Sequence, residues 1–154
     1  DSYPRDQTDK YNSEMIGLNG RLDSIQAAVL LEKLNIFQEE LEMRNEIDAY
    51  YKQFLNNAQY HPNEYQSAHA LFSIVLGSKT KRNKLSKKLS ENDIPNVVYY
   101  KLPIHLMKAF EYLNYKKGSF PVSEQLSENI VSLPMHPYLS HNEIDTIINV
   151  MKYE

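Results

Sequence analysis

The chain has 154 residues, enough for one domain with its own hydrophobic core. Its hydrophobic fraction of 42% is too high for a disordered protein, and its net charge of −3 gives no general affinity for nucleic acid or for anionic membranes. The lack of cysteine excludes disulfides and cysteine-based metal sites, and no apolar run approaches the roughly 20 residues of a transmembrane helix. These features, with no visible signal peptide, favour a cytoplasmic location.

Residues 1–23 are predicted to form a loop segment, because they are polar and lack hydrophobic periodicity up to Glu14. An opening at Asp1 rather than at methionine suits a piece of a longer protein. The segment ends in Gly17-Leu18-Asn19-Gly20-Arg21, directly before a predicted helix. Backbone N–H groups at a helix N-terminus and an arginine favour an anion such as phosphate or carboxylate. The alternative, which residue types alone favour, is a simple turn with a solvated Arg21.

One long helix is predicted over residues 24–56. No glycine or proline occurs between Arg21 and His61, and Asp23 with Gln26 has the form of a capping box. Ile25 and Val29 line one side of this helix, and a second apolar stripe runs from Ala27 to Phe54. At 1.5 Å per residue the helix should reach about 45 Å, which is long for a domain of this size.

A strand is predicted over residues 68–76, where an apolar run ends at Gly77. His69 enters this run, and a lone histidine there is more often structural than functional. The cluster of lysines and arginine from Lys79 to Lys88 is predicted to form an amphipathic helix with Leu85 and Leu89 beneath and a solvated basic face. A nucleic-acid-binding helix is the alternative, but acidic residues follow at once and the whole chain is acidic.

Residues 97–100 are predicted to form a short strand, and Pro103 should keep the following segment extended. Tyr99, Tyr100 and His105 are candidate ligand-binding residues, because their rings offer stacking surface and their hydroxyl and imidazole groups offer hydrogen-bond donors. Simple packing of a strand end is the alternative for this aromatic cluster.

The remainder of the chain alternates short helices with one strand. An aromatic-rich segment around 110–115 is predicted to be a short helix or a loop that ends at Lys117-Gly118, and a helix with Pro121 in its first turn should follow. The string from Ile130 to Leu139 is predicted to be a buried strand that leaves through its two prolines, Pro134 and Pro137. The last helix is capped by Ser140 and Glu143, and its core-facing residues are Ile144, Ile147, Ile148 and Met151. His136 and His141 show no metal-ligand pattern, so no metal site is predicted.

The predicted fold class is α+β, with a long helix and shorter helices packed on a small, mostly antiparallel sheet. No phosphate-binding glycine loop, nucleophile elbow or informative pair of carboxylates occurs in the sequence.

Two longer strings carry a family resemblance. Residues 16–30, with Lys33-Leu34 and Arg44, and the string Ser132-Leu133-Pro134-Met135-His136-Pro137-Tyr138-Leu139 closely resemble the pyridoxal-phosphate-dependent nucleotide-sugar aminotransferases of the DegT type. Residues 93–105 resemble the same family with departures: Asp93 stands at a usual glycine, Tyr99 at a usual histidine, Lys101 at a usual proline and Ile104 at a usual leucine. Pro103 and His105 match.

The resemblance implies the back half of a fold type I aminotransferase. Residues 1–23 would end its large domain, 24–56 would be the connecting helix, and 57–154 the small C-terminal domain. Such an enzyme moves an amino group, here expected from glutamate, onto a keto-sugar carried by UDP or dTDP, for cell-surface polysaccharide or glycan biosynthesis. It uses pyridoxal 5′-phosphate (PLP) and works as a homodimer.

The resemblance also implies roles for individual residues. The family's asparagine in the loop before the long helix reaches across the homodimer to the partner's cofactor phosphate, which assigns that role to Asn19. A supporting phosphate or substrate role falls on Arg21, and Tyr99, Tyr100 and His105 would line the nucleotide-sugar pocket. The lysine that bonds PLP and the aspartate at its pyridine nitrogen belong to the preceding half, so no catalytic residue is expected here and this chain alone is expected to be inactive. The alternative is a non-catalytic regulatory or interaction protein derived from the family.

Overall fold

The computed structural model describes residues 20, 22–56, 58, 65 and 67–152. The predictions for residues 1–19 and for Arg21, including the anion-binding loop, therefore lie outside the described residues. The helices and strands are α1 (Ser24–Phe54), β1 (Phe72–Val75), α2 (Lys79–Glu91), α3 (Pro121–Asn129), β2 (Ile130–Leu133) and α4 (His141–Lys152). Two short 3₁₀ helices cover Ile104–Leu106 and Lys108–Leu113. The fold class is α+β, as predicted from the sequence.

Contacts divide the chain into two units, residues 1–36 and 37–154. In the first unit, helix α1 begins at the predicted capping box: the Ile25 N–H donates to Asp23 Oδ1 at 2.9 Å, and the Asp23 N–H donates to Gln26 Oε1 at 3.3 Å. The large apolar side chains of this unit are exposed, namely Leu22, Ile25, Val29, Leu30, Leu31, Leu34 and Ile36. The N-terminal part of the predicted apolar stripe thus has no cover among the described residues of its unit.

The second unit holds the core. Its core cluster of buried apolar residues comes from the end of α1, the sheet, α2, α4 and the segments that follow α1 and α2: Ile47, Tyr51, Leu55, Ala58, Phe72, Ile74, Leu85, Leu89, Ile94, Val131, Leu133, Ile144, Ile147 and Ile148. The ring of Tyr51 stacks on Phe72 at 4.6 Å, and its hydroxyl donates to the Pro134 carbonyl at 3.2 Å. Burial raises the pKa of the Tyr51 phenol, which therefore stays protonated. The predicted inward face of α4 is confirmed, with Met151 half-buried beside it.

Among the described residues the sheet has two antiparallel strands, with Phe72 opposite Leu133 and Val75 opposite Ile130. Strand β1 is shorter than the predicted 68–76, because His69 has a φ of +46°, a left-handed conformation that cannot continue a strand. His69 is buried, and its Nδ1 atom lies 3.3 Å from Asp48 Oδ1, in keeping with the structural role predicted for it.

The strand predicted over residues 97–100 is wrong. Val97 alone pairs with Ser132, through hydrogen bonds in both directions of 3.2 and 2.7 Å, and Tyr99 and Tyr100 lie in a turn. Val98, Tyr99 and Tyr100 make no further pairs with β2, so the β-propensity of these residues is overridden by the tertiary fold. The aromatic segment, predicted as a helix or a loop, contains a short 3₁₀ helix that ends at Asn114, where φ is +58°, and a turn follows at Lys117-Gly118.

Helix α2 is capped at its N-terminus by Ser78, whose Oγ accepts from the Lys81 N–H at 3.2 Å. Leu85 and Leu89 are buried and most lysines face outward, as predicted. Arg82 corrects that prediction, because it is only 7% exposed and its Nε donates to the Glu128 carbonyl at 2.9 Å. Helix α4 has the predicted capping box, in which the Ser140 N–H donates to Glu143 Oε2 at 2.9 Å and the Glu143 N–H donates to Ser140 Oγ at 3.3 Å.

Across the described residues, no helix combines the length and the apolar character that crossing a membrane requires.

Candidate functional site

The segment that carries the predicted ligand-binding residues is fixed at its start by Asn96. The Asn96 Nδ2 donates to the Ser86 carbonyl at 3.2 Å and to Ser90 Oγ at 3.1 Å, and the Ser86 hydroxyl donates to Asn96 Oδ1. These bonds tie the segment to α2, and the next residue, Val97, ties it to β2. The position of the following tyrosines is therefore set by both a helix and a strand.

Tyr99 and Tyr100 lie together just beyond this anchor. A cis peptide bond joins them, their ring centroids are 5.5 Å apart with planes at 67°, and they are 42% and 68% exposed. Tyr99 lines an open cavity of about 140 Å³ with Leu71, Pro134 and Met135. The structure thus places Tyr99 beside the Ser-Leu-Pro-Met string, which lies far from it in sequence. Exposed rings and hydroxyls beside an apolar recess can stack on a base or sugar and donate hydrogen bonds to it.

His105 lies in a different cluster. Its Nε2 atom is 3.0 Å from Glu124 Oε1, its ring packs edge-on to Phe120 at 4.8 Å, and its side chain is largely buried. The structure therefore brings Tyr99 and Tyr100 together, whereas His105 contacts Glu124 of α3. The interaction gives His105 a positioning role for the segment that follows Pro103.

Glu124 is the centre of that second cluster. Its carboxylate accepts from the Gly118 N–H at 2.8 Å and from the Phe120 N–H at 3.3 Å, besides His105. Partial burial by itself raises the pKa of this carboxyl, but the hydrogen bonds from Gly118, His105 and Phe120 outweigh it and hold the pKa below its ordinary value. Gly118 has a φ of +95°, which a residue with a side chain rarely adopts, so the turn that presents its N–H depends on glycine.

The sequence prediction missed Glu124. The only local sign was an acidic residue in the first turn of a helix that starts with Pro121, a common arrangement that points to the helix dipole rather than to a histidine partner. The partner His105 lies 19 residues earlier, and the pairing depends on the tertiary fold.

The described residues fit part of the predicted ligand set. Tyr99 and Tyr100 supply rings and hydroxyl groups, which suit a nucleotide sugar. The phosphate contact predicted for PLP falls on Asn19 and Arg21, outside the described residues. No group of three or more potential metal ligands occurs within the described ranges.

Comparison with known proteins identifies the family. The model of the DegT/DnrJ/EryC1/StrS aminotransferase family matches residues 2–152. The chain is 32% identical over 143 residues to a dTDP-3-amino-3,6-dideoxy-alpha-D-galactopyranose transaminase of Aneurinibacillus thermoaerophilus, covering 92% of this chain and 39% of the relative. It is 33% identical over 143 residues to a pleiotropic regulatory protein of Geobacillus stearothermophilus, covering 90% of this chain and 38% of the relative.

A solved structure gives the same result for the fold. A DegT DnrJ EryC1 StrS aminotransferase from Brucella abortus superposes with a TM-score of 0.80 and 42% identity, covering 94% of this chain and 39% of that protein. The chain thus spans about two fifths of the length of these relatives. The matched span includes both strings that carried the resemblance in the sequence. The chain belongs to the DegT/DnrJ/EryC1/StrS aminotransferase family.

Proposed function

We propose that the chain is the C-terminal part of a PLP-dependent aminotransferase that moves an amino group from glutamate onto a keto-sugar carried by UDP or dTDP. The observation that carries the proposal is the family match over residues 2–152, and the transaminase relative that acts on a dTDP-sugar supports the substrate class. The complete enzyme would act in the cytoplasm, in the synthesis of cell-surface polysaccharide or glycan.

The proposed division follows the family. Residues 1–23 would end the large domain and carry the anion-binding loop, 24–56 would connect the domains, and 57–154 would form the small domain. The exposed apolar side chains of α1 in the first unit support this division, because such a stripe is normally covered by another part of a protein.

PLP would supply an electron sink for the transfer, and this chain would hold it without a covalent bond. We assign Asn19 to the cofactor phosphate of the neighbouring subunit in a homodimer and Arg21 to the cofactor phosphate or the substrate. An amide and a guanidinium are both suitable donors to an anionic oxygen. The PLP lysine would lie in the part of the enzyme that precedes this chain, so the chain by itself would be inactive.

The nucleotide sugar would contact the Tyr99–Tyr100 pair, which is exposed and anchored by Asn96 and Val97. His105 stays in the proposed pocket lining. Its Nε2 is engaged by Glu124, so any contact with the substrate would use another part of the ring.

The test uses the complete enzyme with ¹⁵N-glutamate and a panel of UDP- and dTDP-linked keto-sugars, with mass spectrometry of the product. The expected result is a nucleotide amino-sugar that carries ¹⁵N. Tyr100→Ala should raise the KM for the sugar, whereas Tyr112→Ala, also an exposed tyrosine, should not. No labelled product with any sugar would contradict the proposal.

A non-catalytic regulatory role is the second candidate, favoured by the regulatory protein among the relatives. If the chain regulated transcription by binding DNA, the exposed lysines of α2 would be the contact surface and affinity should fall steeply with salt. Salt-dependent binding to a DNA fragment, lost in a Lys81→Gln and Lys84→Gln double variant, would support that role over catalysis.

A further inference from the structure

We propose that the groove between helix α2 and residues 96–101 is a binding site for a phosphate group. The groove is an open cavity of about 410 Å³, and Arg82, Asn83, Lys87, Asn96 and Lys101 line it. The proposal is independent of the aminotransferase function, because it rests only on the charge and burial of these side chains.

Arg82 is the first reason. Its side chain lies within the fold at 7% exposure, yet its one hydrogen bond within the described part of the chain runs from Nε to a backbone carbonyl, that of Glu128. The Glu128 carboxylate is directed elsewhere and lies 3.8 Å from Lys79 Nζ. A buried guanidinium is costly unless an anion or several acceptors compensate its charge. Arg82 also lines the cavity, and its two Nη atoms have no hydrogen-bond partner among the described residues, so their N–H groups can donate to a ligand.

The charge of the lining is the second reason. Three cationic side chains, those of Arg82, Lys87 and Lys101, line the groove, and among the described residues no carboxylate lines it. Lys87 forms an ion pair with Glu91, in which Nζ lies 3.6 Å from Oε1. Lys101 has no ion-pair partner within the described ranges. Two or three positive charges around one cavity match a doubly charged phosphate better than a singly charged carboxylate.

The rigidity of the floor is the third reason. Ser86, Ser90 and Asn96 bond to one another and to the α2 backbone, so the two walls of the groove are held at a fixed separation. A site with fixed walls loses less conformational entropy when it binds a ligand. The polar floor is already satisfied, which leaves the arginine and the lysines to provide the attraction.

The experiment titrates the ¹⁵N-labelled 154-residue chain with inorganic phosphate, at constant pH and constant ionic strength, and follows amide chemical shifts by NMR. Saturable shifts confined to residues 82–90 and 96–101 are expected. Shifts that grow linearly without saturation, or that scatter over the surface lysines, would overturn the proposal. A parallel titration with acetate separates the two anion classes, and equal or tighter binding of acetate would contradict the assignment to phosphate.

Variants test the named cations. Arg82→Gln should abolish the saturable shifts, but it also removes the bond to Glu128 and can affect folding. Lys101→Gln avoids this difficulty, because Lys101 is exposed, and it should weaken phosphate binding by about three- to tenfold. Lys117→Gln is the matched control, an exposed lysine outside the groove, and should bind phosphate like the unaltered chain. If Lys101→Gln binds phosphate as tightly as Lys117→Gln, the site is not the one described.

Discussion

The Nε2 atom of His105 and the Oε1 atom of Glu124 lie 3.0 Å apart, joining two residues that are 19 positions apart in sequence. The same carboxylate accepts from the backbone N–H groups of Gly118 and Phe120. One acidic side chain therefore closes the loop between the first 3₁₀ helix and α3. Its hydrogen bonds are the reason that its pKa lies below the ordinary glutamate value.

Glu124 should make the stability of the chain depend on pH in the acidic range. A carboxyl whose pKa is lower in the folded than in the unfolded state stabilises the fold above its unfolded pKa, and this contribution disappears as the pH falls through the folded pKa. Glu124→Gln should thus lower the melting temperature at neutral pH and flatten its decline below about pH 4.5. Hydrogen bonds from Ser140 also lower the pKa of Glu143. Because Glu143 is present in both proteins, its contribution to the pH dependence cancels when the variant is compared with the unaltered chain.

The measurement is thermal unfolding followed by circular dichroism from about pH 3 to about pH 7, a range that spans the titration of carboxyl groups. Glu111→Gln is the control, because Glu111 is an exposed acidic residue of the second 3₁₀ helix, Lys108–Leu113. If the Glu124 and Glu111 variants had the same pH profile, the network around Glu124 would not stabilise the fold.

Leu89→Ala should destabilise the second unit strongly. Leu89 is fully buried at the centre of the core, and its truncation removes apolar contacts and leaves a cavity, at a cost of about 2–5 kcal/mol. Leu113→Ala, at a half-exposed leucine, should cost less than about 1 kcal/mol. Urea unfolding of the two variants gives the comparison, and equal losses would mean that the core is not centred where the structure places it.

The local elements were the most predictable from the sequence. The caps at Asp23 and Ser140 were foreseen because their hydrogen bonds join residues within one helical turn. The inward face of α4 followed from spacing alone.

Features that depend on tertiary contacts were not predictable. Arg82 lies within a run of lysines, and nothing in the local sequence distinguishes it from the exposed ones. Its burial is explained by the hydrogen bond to the carbonyl of Glu128, 46 residues away. Val97 pairs with Ser132 of β2 at one position only, because the chain then turns away from the sheet. The roles of Asn19 and Arg21 stay predictions, since they came from the family resemblance rather than from local physics.

The exposed apolar stripe at the start of α1 should drive self-association of the isolated chain. Leu31 and Leu34 are 65% and 66% exposed, and burial of such surface is favourable. We expect light scattering to show a mass that rises with concentration. Leu34→Glu should reduce this association, whereas Asn35→Glu adds the same charge at an exposed polar position and should not. A monomer at every concentration would count against the proposal that another chain or the rest of the protein covers this stripe.

Arg21→Ala in the complete enzyme should weaken the binding of cofactor or substrate more than it lowers stability. A charge-assisted hydrogen bond contributes about 1.5–3 kcal/mol, whereas an exposed arginine adds little to folding. Kinetics with varied PLP and varied nucleotide sugar, beside a melting curve, separates the two effects. Unchanged kinetics together with a lower melting temperature would make Arg21 a structural residue.

The proposed role of Asn19 in completing the active site of a neighbouring subunit can be tested directly. Asn19→Ala in the complete enzyme should weaken cofactor binding about ten- to a hundredfold, the loss of one hydrogen bond to a charged acceptor. The measurement mixes this variant with one that lacks only the PLP lysine and assays amino transfer by the mixed dimer.

If Asn19 acts in trans, each mixed dimer has one site with both lesions and one site with neither. Activity should then return to about half of that of the unaltered dimer, a value that follows from counting intact sites. If Asn19 serves its own chain, every site keeps one lesion. Failure to regain activity in dimers shown to be mixed would contradict the claim that this chain contributes to the partner's cofactor site.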